Sequence, residues 1–195
     1  MKKIEFYRIL SKLDKIGKNN LKLEQYRTDI GAAYELMEFV DSQAGIRGKN
    51  IADVGCGNGI LGISAAVWGA EKVDLYDIDA RAVTSAENNI SLLELGNTAA
   101  LCMDLFDIQN KYDIAISNPP FGFQSNFSLA AFIKKIKSIA GDIFFIYKNN
   151  KEIRKIADEN GLSVHDMKGI KLEKSLPFHK KNYYILPTVI VYGLK

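Results

Sequence analysis

The sequence is poor in the residues that mark secreted, metal-binding and membrane proteins. Its two cysteines, Cys56 and Cys102, are too few for a secreted disulfide framework and lie in no CxxC or CxxH pattern typical of zinc sites. No apolar run reaches the ~18 residues that a membrane span needs, and the charged start MKKIEFYRILSKLDKIGK is unlike a signal peptide. We therefore expect free thiols, no metal site, no membrane association and a cytoplasmic location.

Proline is also scarce, with four residues in 195, and no repeat, low-complexity tract or Pro/Gly/Ser-rich linker divides the chain. This length suits one compact α/β domain better than two. A composition of 47% hydrophobic and 25% charged residues can bury a core and excludes an intrinsically disordered chain. We expect a single domain over residues 1–195.

The net charge of +3 is unevenly distributed along the chain. Residues 50–130 carry ten acidic and three basic side chains, whereas residues 131–195 carry six acidic and thirteen basic ones. Residues 1–30 are basic as well, with eight against four. A basic surface built from both ends would suit a polyanion, and an acidic centre would suit a cofactor poor in phosphate, although solvated helix faces explain the basic residues equally well.

From residue 49 onwards, strand-length apolar stretches alternate with helix-length amphipathic ones. This alternation predicts an α/β fold with a mostly parallel, doubly wound sheet. Two β-rich segments near 163–172 and 184–193 have no helix between them, which predicts a C-terminal antiparallel hairpin at one sheet edge. The first forty residues contain apolar side chains at helical spacing, as in LSKLDKI and AAYELMEFV, which predicts helices.

A glycine-rich turn follows the first of these strands, at Gly55-Cys56-Gly57-Asn58-Gly59. Glycines there let the backbone turn sharply and approach a ligand. Gly57, Gly59 and Gly62 also satisfy the GxGxxG pattern of dinucleotide sites, which is weak evidence alone. Asp77 ends the second strand about 20 residues later. Any cofactor with an adenosine ribose, a dinucleotide included, would need an acceptor for its ribose hydroxyls at this place.

Asn118-Pro119-Pro120-Phe121 follows the strand YDIAIS and contains half of the prolines. Proline fixes φ and removes N–H donors, so the Asn118 side-chain oxygen and the Pro119 carbonyl form a rigid pair of acceptors. Such a pair suits an exocyclic amine such as N6 of adenine, and Phe121 would stack on the base. The alternative is a turn that only ends the strand, with Phe121 in the core.

The acidic Asp53 before the glycine turn, followed by the Asn-Pro-Pro-Phe segment, resembles the class I S-adenosylmethionine-dependent amino-methyltransferases. The whole chain is similar to the archaeal type of the methyltransferase-like five family, adenine-N6 methyltransferases of small-subunit ribosomal RNA. Two further segments, LEQYRT (23–28) and PFHKK (177–181), carry this resemblance, and Arg27 stands where the family usually has proline. It implies a Rossmann-like fold, with a helical cap over the cofactor cleft in residues 1–48 and the core in 49–195.

The resemblance also implies roles for particular residues. The catalytic residues would be Asn118, Pro119, Pro120 and Phe121. RNA would be bound by His179, Lys180 and Lys181, although a solvated turn explains His179 nearly as well. S-adenosylmethionine would contact Gln25, Thr28, Asp53, Gly55, Asn58, Gly59, Ile60, Asp77, Asp104 and Leu105. A small zinc-binding activator protein, the partner of eukaryotic family members, would complete the sheet edge at the strand ALCM.

Other functions remain open at this level. Within the enzyme class, the alternatives are adenine-N6 methylation of DNA and glutamine-N5 methylation of a release factor. Outside it, the chain could be a non-catalytic module that binds RNA or an adenosine cofactor, or a nicotinamide oxidoreductase. We expect the RNA target to be single-stranded or easily opened, because the base must leave its stack.

Overall fold

The computed structural model describes residues 1–14, 28–121, 128–173 and 183–195. In these ranges the chain alternates between helices and strands, as the hydrophobic pattern predicts. The helices are α1 (Lys3–Leu10), α2 (Ile30–Ala44), α3 (Ile60–Trp68), α4 (Ala80–Leu92), α5 (Leu129–Ile139) and α6 (Lys151–Glu159). The strands are β1 (Asn50–Val54), β2 (Lys72–Asp77), β3 (Thr98–Cys102), β4 (Tyr112–Ser117), β5 (Ala140–Lys148), β6 (Ser163–Asp166), β7 (Ile170–Glu173), β8 (Tyr183–Leu186) and β9 (Thr188–Gly193).

The main sheet has seven strands within the described residues, in the order β3-β2-β1-β4-β5-β9-β6. The first five are parallel to one another, and β9 runs antiparallel to both β5 and β6. The predicted Rossmann-like, mostly parallel sheet is confirmed. The strand order reverses beside β1, and in open α/β sheets ligands bind at the carboxyl ends of the strands at such a point.

The C-terminal hairpin is more elaborate than predicted. An antiparallel pair, β6 and β9, does close the sheet edge, but each β-rich segment divides into two strands. The inner pair, β7 and β8, forms a separate two-stranded ribbon. The divisions fall at Gly169, which has a φ of 92°, and at Pro187, which lacks the N–H that a continuous ladder would need.

Helices cover both faces of the main sheet. Side chains of α1 and α2, such as Phe6 and Leu36, share one buried core with α3 and with Leu75 of β2. The opposite core holds Phe132 of α5 and Phe145 of β5. The N-terminal helices therefore pack on a sheet face, and the cap that we predict in residues 1–48 stays a prediction.

Candidate functional site

The glycine turn and the Asn-Pro-Pro-Phe segment lie side by side because β1 and β4 are parallel neighbours. Val54 and Ser117, the last residues of these strands, are directly paired. The Ser117 hydroxyl also donates a hydrogen bond of 2.6 Å to the Val54 carbonyl. The chain leaves this pair as Gly55 on one strand and Asn118 on the other, so two segments 63 residues apart in sequence begin at one point.

Backbone geometry explains the glycines of the turn. Gly55, Gly57 and Gly59 have φ values of 72°, 57° and 84°, in the left-handed region that other residues rarely adopt. The N–H groups of Gly55 and Cys56 both donate to the Tyr76 carbonyl, at 2.8 and 2.9 Å. The turn is thus fixed to the end of β2.

Close packing adds a second requirement. A Cβ on Gly59 would lie 2.9 Å from a methyl of Leu75, and one on Gly62 would lie 2.6 Å from Leu75 Cγ. A Cβ on Gly55, in contrast, would meet no atom of the described residues within 4 Å. The turn therefore packs tightly on its inner side, and no described residue crowds the Gly55 backbone on the side where a ligand can approach.

Asp53 lies in β1 with its carboxyl group fully buried. One oxygen, Oδ2, accepts from the Gly62 N–H at 2.7 Å, and the other, Oδ1, is buried without a partner among the described residues. The pKa of Asp53 is raised from its ordinary 3.8 to about 7, chiefly by burial and to a smaller extent by the negative charge of Asp77, against the effect of the Gly62 bond. The negative charge of Asp53 is thus poorly compensated by its surroundings.

Asp77 lies beside it at the end of β2. Its two oxygens accept from the N–H groups of Gly57 and Asp79, both at 2.9 Å. Burial raises the pKa of Asp77 as well, although these backbone bonds oppose the shift. Two carboxylates, one with an unpartnered oxygen, would be stabilised by a cation in this cleft.

Cys56 is inside the turn but is not activated. Burial raises the pKa of its thiol well above the ordinary value, and the charges of Asp53 and Asp77 raise it further. The thiol therefore stays protonated, so Cys56 acts as a small buried side chain of the turn rather than as a nucleophile.

A buried asparagine that sequence reasoning missed, Asn89 of α4, ties the turn to the N-terminal segment. Its side-chain amide donates to the carbonyls of Asn58 and Asp14, at 3.0 and 3.3 Å, and its oxygen accepts from the Asp14 N–H at 2.7 Å. Asn58, predicted to contact the cofactor, donates to the Asp14 carbonyl at 3.1 Å. The sequence pattern that could have identified Asn89 is its helical spacing from Ala82 and Ala86, which places a polar residue on the apolar face of α4.

The remaining described cofactor candidates follow β1 and β3 in the chain. Ile60 is the buried first residue of α3. Asp104 follows β3 and accepts from the Phe106 N–H at 2.8 Å, so it caps a short 3₁₀ helix that starts at Leu105. The Met103 N–H donates to the Asp77 carbonyl at 3.0 Å, which holds this loop against the end of β2.

The Asn118 side chain is held by Thr28. Its amide Nδ2 donates to the Thr28 hydroxyl at 2.9 Å, across 90 residues of sequence. Thr28, which we expected to contact the cofactor, thus contacts Asn118 in this structure. The NH₂ end of the amide faces Thr28, so this bond does not involve the Asn118 side-chain oxygen.

Phe121 is buried, with 1% of its surface exposed, and packs edge-to-face on Tyr147 at a centroid distance of 5.3 Å. Its carbonyl accepts hydrogen bonds from the Tyr147 hydroxyl at 3.2 Å and from Lys148 Nζ at 3.1 Å. The ring lies in the core in this conformation, so its predicted stacking on a base stays a prediction that requires the ring to become accessible. Sequence reasoning did not single out Tyr147 or Lys148.

Several predicted residues fall outside the described ranges, namely Gln25, His179, Lys180 and Lys181. Within those ranges, no three His, Cys, Asp or Glu side chains converge in a group that could hold a metal ion. No described helix is long and apolar enough to cross a membrane.

Comparisons with known proteins agree on the type of protein. The family model described as methyltransferase small domain matches residues 24–159. The chain is similar to the rRNA N(6)-adenosine-methyltransferase METTL5 of Danio rerio, with 30% identity over 93% of each chain. It is also similar to metl-5 of Caenorhabditis elegans, described in the same words, with 34% identity over 60% of this chain and 58% of that protein.

A solved structure from Pyrococcus horikoshii, described as a candidate RNA methyltransferase, has the same fold along nearly the whole chain. The two structures superpose with a TM-score of 0.85 and 31% sequence identity. The superposition covers 98% of this chain and 97% of that chain.

Proposed function

Since this chain belongs to the methyltransferase small domain family, we propose that it transfers the methyl group of S-adenosylmethionine to N6 of an adenine in small-subunit ribosomal RNA. The observation that carries the proposal is the pairing of Val54 with Ser117. It brings a glycine turn of the kind that binds adenosine cofactors next to the rigid acceptors of Asn118 and Pro119. The names of the METTL5 relatives support the ribosomal RNA target.

The residues of the turn fit S-adenosylmethionine. This cofactor has no phosphate and carries a sulfonium cation, so the poorly compensated carboxylates of Asp53 and Asp77 favour its binding. Apart from its chain neighbours, no described residue lies within 4 Å of a Cβ position on Gly55, which would let the ligand approach the backbone. Asp77 would accept from ribose hydroxyls and Asp104 from the adenine amino group, while Asn58, Gly59, Ile60, Leu105 and the N-terminal Gln25 and Thr28 would complete the pocket.

When bound, S-adenosylmethionine would supply an electrophilic methyl group, and the sulfonium that loses it would become the neutral thioether of S-adenosylhomocysteine. The chain supplies the site for the nucleophile, because the Asn118 oxygen and the Pro119 carbonyl accept hydrogen bonds from the two N–H groups of an exocyclic amine. Holding the amine by both protons orients its lone pair and stabilises the positive charge that develops on nitrogen. No strong base is needed, since the amine loses its extra proton to solvent after transfer. Pro120 keeps the segment rigid, and Phe121 would stack on the extruded base.

The ribbon of β7 and β8 supports RNA binding beside this site. The Lys171 N–H in β7 donates to Asp29 Oδ2 at 2.8 Å, and Asp29 is the neighbour of Thr28. The segment between the two strands, residues 174–182, contains Lys174, His179, Lys180 and Lys181. We propose that His179, Lys180 and Lys181 bind RNA phosphates and so position the target nucleotide.

A second proposal concerns the sheet edge formed by β3. Among the described residues β3 pairs with β2 alone, and Ile78 and Phe106 nearby are 60% and 56% exposed, so an added strand could pair with its outer side. We infer that a small zinc-binding activator protein pairs with this strand. Co-expression with such an activator from the same organism, followed by size-exclusion chromatography, should give co-elution. Separate elution would contradict the pairing and leave the methyltransferase proposal intact.

One experiment separates the candidate functions. The protein is incubated with methyl-labelled S-adenosylmethionine and, in parallel, small-subunit ribosomal RNA, DNA or a protein release factor, and the labelled product is digested and identified. We expect label in RNA alone, as N6-methyladenosine. Label in DNA or in glutamine would favour the corresponding alternative enzyme, and cofactor binding with no transfer to any substrate would favour a non-catalytic module.

A further inference from the structure

The Asn-Pro-Pro-Phe segment is held at both ends by side chains from distant parts of the chain. At its start, Asn118 donates to Thr28 and the preceding Ser117 donates to Val54. At its end, the Phe121 carbonyl accepts from two donors at once, the Tyr147 hydroxyl and Lys148 Nζ. The two prolines between have no N–H, so their own backbone cannot donate to fix them.

The sheet register explains why these two donors reach Phe121. Ser117 is paired with Phe145, so β5 continues for three residues, through Tyr147 and Lys148, beyond the end of β4. This extension is firmly anchored, because Tyr147 and Lys148 pair with Val189 and Thr188 of β9 on the other side. Tyr147 is 6% exposed, and its ring also packs on Phe121. The donors therefore stand on a rigid strand beside the proline segment.

We propose that Tyr147 and Lys148 are positioning residues for methyl transfer. By fixing the Phe121 carbonyl, they set the path of the backbone between Asn118 and Phe121, and with it the direction of the Pro119 carbonyl. The inference rests on the proposed function, in which that carbonyl holds the amine. A displacement of about 1 Å in a reacting group can cost about 100-fold in rate, so loss of both donors should lower the rate of transfer more than substrate or cofactor affinity.

The test uses conservative substitutions in the full chain. Tyr147→Phe keeps the ring and removes the hydroxyl, Lys148→Met keeps the aliphatic stem and removes the ammonium, and Lys148→Arg restores a cationic donor. Lys137→Met is the matched control, because Lys137 Nζ also donates to a backbone carbonyl, that of Asn160, at 3.0 Å. Single-turnover rates with ribosomal RNA, the dissociation constant of S-adenosylmethionine and the melting temperature are measured for each.

We expect the double variant Tyr147→Phe/Lys148→Met to lose about 10- to 100-fold in transfer rate, with cofactor affinity within about twofold of the parent. Each single variant should lose less, because the other donor remains, and Lys148→Arg and Lys137→Met should stay near the parent rate. Rates within twofold of the parent in the double variant would overturn the inference. So would losses in rate, cofactor affinity and melting temperature that run in parallel, since these indicate a structural role alone.

If the double variant does not fold, the two single variants decide by the same criteria. The outcome is distinguishable from failure of the proposed function. If the parent protein transfers no label to RNA, the proposed function fails, whereas an active parent with equally active variants removes only the roles of Tyr147 and Lys148.

Discussion

The glycine turn and the Asn-Pro-Pro-Phe segment begin at the same pair of residues but are held in different ways. The turn depends on contacts that are short in sequence, such as Gly62 N–H to Asp53, nine residues apart, and Gly57 N–H to Asp77, 20 residues apart. The segment depends on Thr28, which is 90 residues from Asn118, and on Lys148, 27 residues from Phe121. The exception in the turn is Asn58, whose side chain donates to the Asp14 carbonyl across 44 residues. We infer that the part of the turn beside Asp53 and Asp77 is built locally, whereas the acceptor segment needs the assembled fold.

The largest effect should come from removing the acceptor itself. Asn118→Ala deletes the side-chain oxygen that would hold the amine, so methyl transfer should fall by about 100-fold, or about 3 kcal/mol of transition-state stabilisation. Cofactor affinity should be retained, because the turn is held by its own bonds. Single-turnover kinetics and calorimetric titration measure the two quantities. Asn160→Ala, at the far end of α6, is the control, and turnover retained in Asn118→Ala would refute the catalytic role.

The next effect concerns the packing of the turn. Gly62→Ala places a Cβ 2.6 Å from Leu75 Cγ and 3.1 Å from Asp53 Cβ. Overpacking of this kind costs about 1–3 kcal/mol, against a gain of at most about 1 kcal/mol in helix propensity. We expect a lower free energy of unfolding and weaker cofactor binding. In the control Gly96→Ala, a Cβ meets no atom of the described residues within 4 Å. Denaturant titration should show an unchanged free energy of unfolding for this variant, and its cofactor affinity should match that of the parent. Unchanged stability in Gly62→Ala would show that the turn tolerates a side chain.

The pKa of Asp53, raised to about 7, predicts a pH dependence of cofactor affinity. Below pH 7 the carboxyl group is protonated and gives no charge to attract a cation, so affinity for S-adenosylmethionine should fall by up to about tenfold per pH unit as the pH decreases. Calorimetric titration between pH 5.5 and 8.5 measures this. Asp53→Asn should bind more weakly above pH 7 and lose most of the dependence.

The same pKa shift makes the ligand-free protein less stable as the pH rises. Because the folded-state pKa lies above the ordinary 3.8, the neutral form is favoured by folding, and its contribution to stability is lost as the pH rises from about 4 through about 7. The free energy of unfolding is measured against pH for the parent and for Asp53→Asn. If both proteins show the same pH profile, the dependence belongs to another group, such as Asp77.

The smallest effect should follow from Thr28→Val, which keeps the shape and removes the acceptor of the Asn118 amide. A single hydrogen bond is worth about 1 kcal/mol, so the rate of transfer should fall by about fivefold. The loss should appear in the rate of the bound complex rather than in cofactor affinity, because the bond orients Asn118. A loss of affinity at an unchanged rate would instead assign Thr28 to the cofactor pocket.

The same comparison explains what the sequence could predict. The alternation of strands and helices follows from the hydrophobic pattern and is confirmed. Local residue preferences also explain why α4 begins after the N-cap Asp79 and why α3 ends before Gly69. The acceptor motif was also visible, but the residues that hold it, Tyr147 and Lys148, carry no local signal beyond their place at the end of a strand. Burial of Phe121 in the core was one of two alternatives that the sequence left open, because the choice depends on a neighbour on another strand.

The most direct test of the central claim is a crystal structure with S-adenosylhomocysteine and an RNA oligonucleotide that contains the target adenosine. The account predicts that N6 of the extruded base lies within hydrogen-bond distance, about 3 Å, of both the Asn118 side-chain oxygen and the Pro119 carbonyl, and faces the cofactor sulfur. A base whose amino group contacts neither oxygen, or a cofactor bound away from the glycine turn, would contradict it.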